Sequence, residues 1–306
     1  MDADIEATAE RIHGVLRSAP TSSSRHRALH ARGVVAEGRF IPSGALARST
    51  SAPHLREGST AALVRFSHPG GDPHVPDGLP SARGMAVKLR SAAGTHDLVG
   101  VSAPAFLVRD GPSFLELLVA RAPDPATGAP DPARMTAFVE SHPESLPAVR
   151  AAMTAGVPVS YATLVYNGLH TFFLVDGAGR RRPFRYSWVP ADGEQFREEP
   201  VDPGLDLAAE LAERLAGPPG AAAFDLVVHL GTADDPTDDP TAVWPERPTV
   251  VAGRLQIDGL AGDVEPVIFD PTAVVAGVAL PDDDEILQLR SATYSLSYAA
   301  RTAHAD

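Results

Sequence analysis

The chain has 306 residues, 44% of them hydrophobic, enough for one large core or two ordinary domains. Its 26 basic against 39 acidic residues give a net charge of −13, which argues against nucleic acid or an anionic membrane surface as a partner. With no cysteine, the chain has no disulfide, thiolate zinc site, iron–sulfur cluster or cysteine nucleophile.

Over residues 3–17, Ile5, Ile12, Val15 and Leu16 recur among charges and predict an amphipathic helix, ended by the Ser/Thr run at 21–24. The acidic start Met1-Asp2-Ala3-Asp4 lacks the basic region of a secretory leader, and no apolar stretch approaches the roughly 20 residues of a membrane span. A cytoplasmic protein is therefore expected. Short β-like runs follow at 26–33, 61–67, 83–91 and 96–101. Residues 113–120, 132–141 and 145–155 read as helices separated by Pro-rich loops. Strand signals return at 159–166, 170–176 and 182–189. Residues 205–216 read as a helix stopped by Gly217-Pro218-Pro219; 224–230, 249–257 and 264–269 read as strands, and 285–301 has helical spacing. Eight or so short strands with inserted helices predict an α+β fold: one domain over 1–306, built as a closed eight-stranded antiparallel β-barrel with helices outside. Asp234-Asp235-Pro236-Thr237-Asp238-Asp239 reads as a solvated acidic turn, with a calcium site as the alternative.

Five segments carry the candidate chemistry: Arg27-Ala28-Leu29-His30-Ala31-Arg32-Gly33, the run from Thr60 to Ser67, the run from Ala82 to Leu89, Asp97-Leu98-Val99-Gly100-Val101-Ser102 continuing to Phe106, and Arg290-Ser291-Ala292-Thr293-Tyr294. Residue by residue, each has a structural reading. His30 is a histidine among small neighbours, Ser67 a strand hydroxyl, and Arg27, Arg65 and Arg301 surface charges. Phe106 and Phe114 are core aromatics, and Tyr294 is a core tyrosine with Arg290 one helical turn earlier. Taken together and in this order, the segments resemble the haem-catalase family, in particular its small members built from little more than the barrel core. The resemblance spans about residues 25–301.

That resemblance implies one haem b, with Tyr294 as the axial ligand to iron and Arg290 favouring its ionised form. It makes His30 the distal acid–base group that moves a proton during cleavage of the peroxide O–O bond, with Ser67 holding the imidazole. Arg27, Arg65 and Arg301 would surround the haem propionates, Phe106 would stack on the distal side, and Phe114 would shape the substrate approach. The implied substrates are hydrogen peroxide or an organic peroxide with a small organic reductant, in a monomer or homodimer.

Two positions depart from the family pattern. Val101 stands where the family has an asparagine that positions peroxide, and Ser81 stands where an aspartate usually precedes Arg83-Gly84. Ser102 carries a hydroxyl, but adjacent strand residues face opposite ways. Loss of an oriented donor at a reacting oxygen costs ~10²–10³ in rate, so weak catalase activity is expected. The alternatives are a catalase-fold enzyme diverted to rearrange, dehydrate or oxidise an organic hydroperoxide or N–O substrate, and a haem carrier, which would not need His30. His68, Asp72 and His74 offer a further reading, as a zinc or non-haem iron site.

Overall fold

The computed structural model describes residues 3–19, 22–124, 129, 131–198, 202–262 and 266–303. In chain order the elements are α1 (Ala3–Arg17), β1 (Gly33–Pro42), β2 (Thr60–Ser67), β3 (Gly84–Ser91), β4 (Gly94–Val101), α2 (Gly111–Arg121), α3 (Pro132–Ser141) and α4 (Leu146–Met153). Then come β5 (Tyr166–Val175), β6 (Arg181–Pro190), α5 (Leu207–Leu215), β7 (Ala223–Leu230), β8 (Thr249–Leu260), the two-residue β9 (Val278–Ala279) and α6 (Glu285–Thr302). The strands run β4-β3-β2-β1-β8-β7-β6-β5, and a β4–β5 pairing closes them into an eight-stranded antiparallel barrel, with β9 added beside β5.

Side chains alternate between the two faces of each strand. On β2, Val64 and Phe66 enter the barrel core with Phe40, Trp188 and Phe224. Leu63, Arg65 and Ser67 therefore face outward, where Leu63 packs with Val35, Val99, Val267 and Phe269. A second core joins α1, α2 and α6 through Ile12, Leu16, Leu117, Ile286 and Leu289. Asp284 caps α6 by accepting from the Leu287 N–H at 2.9 Å. A buried Lys88–Asp97 pair (2.6 Å) on the barrel continues through the Asp270 N–H (2.7 Å), and Ser291 of α6 donates to the Asp270 carboxylate (2.9 Å). The outer barrel face and α6 are thus linked, and the segments singled out by sequence lie on these elements or directly beside them.

Three expected strands differ. The run 26–33 is irregular, and β1 starts only at Gly33. The inward row of β1 is Val34, Ala36, Gly38 and Phe40, too small in the middle to give an alternating apolar signal. At 159–166 the chain makes a short 3-10 turn (Tyr161–Thr163), because the Ser160 hydroxyl accepts from Ala162 N–H (3.1 Å) and Thr163 Oγ1 accepts from Ser160 N–H (3.1 Å). Of 264–269, Val264 and Glu265 lie outside the described residues; Pro266–Phe269 form no strand but bury Val267 and Phe269.

At one end of β4, His96 packs edge-to-face on His54 with centroids 4.7 Å apart, and both are buried. Burial lowers the pKa of His54 to about 4; burial and then His54 lower that of His96 well below its ordinary value. His30, His68 and His170 are lowered too, each first by burial. An unfolded histidine titrates near ~6.5, so as pH falls the unfolded chain takes up these protons first and stability drops. Asp97 acts in the opposite sense: burial raises it to about 6 against the pull of Lys88. Five histidines outweigh one carboxyl. The thermal midpoint is expected to be level above about pH 7 and to fall between about pH 6 and 4; a midpoint unchanged down to about pH 4.5 would overturn this.

Candidate active site

Gly33, Ser67, Gly84, Val101 and Asn167 are successive lateral partners across β1 to β5. Directly opposed residues of antiparallel strands put their side chains on one face. Val101 therefore shares the outer face with Ser67, separated from it by a glycine. His30 lies just before β1 with a left-handed backbone, φ 56°. That conformation costs a non-glycine residue about 1–3 kcal/mol and persists only where its surroundings over-determine it. Here its N–H bonds Pro69 O (3.3 Å), and the next N–H bonds Gly70 O (3.0 Å). The ring then meets Ser67, with Nδ1 2.9 Å from Oγ. Gly84 is required beside them, because a Cβ there would stand 2.8 Å from both Nδ1 and Oγ. Burial first, then the charges of Arg65, Arg290 and Arg27, hold the His30 pKa down to about 3. The imidazole is uncharged at neutral pH. The Ser102 Oγ is turned to the backbone of the 81–84 segment, where it accepts from the Arg83 N–H at 2.8 Å.

Beside His30 opens a cavity of about 300 Å³ lined by Arg27, Ala31, Gly33, Arg65 and Arg301, with Arg25 and His26 at its exposed rim. Arg65 donates to His30 O (2.8 Å), while Arg27 (2.7 Å) and Arg301 (3.1 Å) both donate to Val267 O. The three arginines expected at one group are thus brought to one cavity from the 26–32 segment, β2 and α6. Gly33 keeps room for them, since a Cβ there would strike the Arg65 guanidinium.

On α6, Arg290 Nε (3.2 Å) and Nη2 (3.0 Å) both donate to Tyr294 Oη. The third guanidinium nitrogen, Nη1, lies 2.8 Å from His170 Nε2, and His170 Nδ1 lies 2.6 Å from the buried Asp284 carboxylate. A guanidinium only donates, so Nε2 accepts and Nδ1 carries the proton given to Asp284. Burial, opposed by Asp284, keeps the His170 pKa low, consistent with this neutral tautomer. Sequence reading gave no role to His170 or Asp284. Asp284 was legible as a helix cap; His170 joins it only through the fold.

Phe106 stacks on Phe114 (6.0 Å), and its ring meets His170 (6.4 Å) and the Arg290 guanidinium (5.8 Å). Phe106, expected to stack near the haem, thus packs against the two residues that orient Tyr294. The alternative metal loop does not assemble. His68 bonds Ser81, Asp72 Oδ1 accepts from the His74 N–H (2.8 Å), and among the described residues no three His, Asp or Glu side chains are grouped to hold an ion. In the acidic loop, Asp235 pairs with Arg247 (2.5 Å) and Asp239 accepts from Thr241 N–H (2.8 Å), as in a structured turn.

The donor set fits a haem. A phenol oxygen held by a guanidinium suits an axial ligand, three guanidinium groups at one cavity suit two carboxylates, and an uncharged histidine suits peroxide. The sequence model of the Catalase family matches residues 22–202. A "Catalase-related peroxidase" of Mycolicibacterium paratuberculosis is 36% identical over 287 residues, covering 90% of this chain and 89% of that protein. A "Catalase-related peroxidase" of Synechococcus elongatus is 31% identical over 282 residues, covering 89% and 82%. "Catalase-1" of Triticum aestivum is 32% identical over 290 residues, and this chain spans only 58% of its length. A family model matched over more than half of the sequence, and two relatives aligned along nearly all of it, show that the chain belongs to the catalase family.

Proposed function

We propose that the protein is a haem peroxidase that reduces hydrogen peroxide or an organic peroxide at the expense of a small organic donor and releases oxygen poorly. The observation that carries this reading is the uncharged His30 on Ser67 with apolar Val101 sharing their face. Two relatives named "Catalase-related peroxidase" support it and give the diverted-enzyme alternative no support. The cofactor is haem b, held in one domain over 1–306 that acts as a monomer or homodimer. No described helix is long and apolar enough to cross a membrane, and a cytoplasmic location agrees with that.

When bound, the haem supplies the iron at which peroxide is cleaved and through which the donor's electrons pass. With Nδ1–H donated to Ser67 Oγ, the Nε2 lone pair of His30 is left to take a proton from one peroxide oxygen and return it to the other as water departs. Arg27, Arg65 and Arg301, which line one cavity, would pair the propionates. Tyr294 Oη would ligate iron, its orientation set by Arg290, His170 and Asp284, and Phe106 and Phe114 would provide apolar walls. Val101 offers no donor to hold a second peroxide, which is why donor oxidation outruns oxygen release.

With haem-loaded protein, one equivalent of hydrogen peroxide is expected to change the ferric absorption band to a form that persists until an organic donor is added. Oxygen evolution is expected to be slow, and Val101→Asn to raise it by up to about 10²-fold. Rapid oxygen evolution by the unmodified protein would refute the peroxidase reading; no change in the variant would remove Val101 from the reacting face.

A further inference from the structure

A second histidine stands beside the pocket, and the chemistry above does not use it. His68 follows β2 directly and is 7% exposed. Both of its ring nitrogens are engaged: Nδ1 accepts from the Gly70 N–H (3.3 Å), and Nε2 shares a hydrogen bond with Ser81 Oγ (2.9 Å). Ser81 Oγ also meets the guanidinium of Arg83, which is fully buried and ends on the carbonyls of Asp77 (2.7 Å), Leu79 (3.1 Å) and Ser81 (2.8 Å). The imidazole is thus a strut between the 68–71 turn and the 77–83 loop.

That turn is what holds the backbone of His30. Pro69 and Gly70 supply the carbonyls bonded by the His30 (3.3 Å) and Ala31 (3.0 Å) N–H groups, and the His68 N–H returns to Arg32 O (3.0 Å). Gly71 completes the close approach, because a Cβ there would stand 2.7 Å from Ala28 O. The left-handed φ of 56° at His30 is therefore imposed by a turn outside its own segment. Ser81, the strut's far end, is one of the two positions that depart from the family pattern.

We propose that His68 is a positioning residue for peroxide cleavage: by bonding Gly70 and Ser81 it locks the turn that keeps His30 in its left-handed conformation and its ring on Ser67. This rests on the reading of His30 as the acid–base group. Burial, then Arg83, holds the His68 pKa down to about 4, with Asp77 and Asp72 opposing and Arg32 adding, so the ring is an uncharged acceptor at neutral pH.

The test uses haem-loaded protein and reads two quantities: the second-order rate with hydrogen peroxide, and hydrogen exchange at the His30 and Ala31 amides. His68→Ala is expected to slow the first and speed the second, each by about tenfold, with the ferric band unchanged. His68→Asn, whose Oδ1 replaces Nδ1 as acceptor, is expected to restore the rate to within about threefold. Ser81→Ala removes one end of the strut and is expected to give a smaller change of the same sign. Unaltered exchange and rate in both His68→Ala and Ser81→Ala would overturn the proposal, as would asparagine behaving like alanine. If His30→Ala leaves the peroxide rate intact, the functional reading fails instead, while exchange at 30 and 31 in His68→Ala still decides the positioning role.

Discussion

Replacing His30 by alanine is expected to slow peroxide cleavage by about 10²–10⁴-fold while haem stays bound. The expectation follows from how the imidazole is set. Its pKa of about 3 leaves it uncharged at neutral pH, and Nδ1 is tied to Ser67 at 2.9 Å, so the direction of the ring is fixed before substrate arrives. Two neighbouring groups are already engaged: Ser102 Oγ accepts from the Arg83 N–H (2.8 Å), and His68 has both nitrogens bonded. On the proposed reading haem is held by Tyr294 and the three arginines rather than by His30, so the ferric band should survive. Stopped-flow absorbance after mixing haem-loaded variant with hydrogen peroxide measures the step. A variant that reacts at the unmodified rate would remove His30 from the chemistry.

The helices were legible because their ends are written locally. Asp110, Asp131, Asp206 and Asp284 each cap a helix with a side-chain acceptor, and α5 gives way to Gly217-Pro218-Pro219 just beyond its last turn. Strands with bulky alternation, such as β2, β6 and β7, were legible for the same reason. β1 was not: Ala36 and Gly38 occupy half of its inner row, and its register shifts between Glu37 and Gly38. The candidate site residues rest on motif order, and order alone does not reveal how they are held. The backbone of His30 depends on a turn some 40 residues later in sequence. The link from Tyr294 to Asp284 passes through His170, whose bond to Asp284 spans 114 positions. A local window contains neither.

That link governs the second large effect. Tyr294→Phe is expected to lower haem affinity beyond the roughly 10–100-fold that loss of an outer-shell partner costs, or to leave a bound haem with a visibly shifted ferric spectrum. Tyr294 Oη accepts two N–H groups from one guanidinium, at 3.0 and 3.2 Å. That guanidinium is itself oriented by His170 (2.8 Å), which is fixed in one tautomer by the carboxylate that caps the same helix. Every member of the chain points toward the phenol oxygen, and phenylalanine keeps the ring while removing only that atom. The barrel core and the cap of α6 make no use of it, so the variant should fold with an unchanged far-UV spectrum. Titration with haem, followed by the ferric absorption band, measures the outcome. A tight complex with the unmodified spectrum would mean that iron is held elsewhere, and that the guanidinium–histidine–carboxylate chain serves the packing of α6 alone.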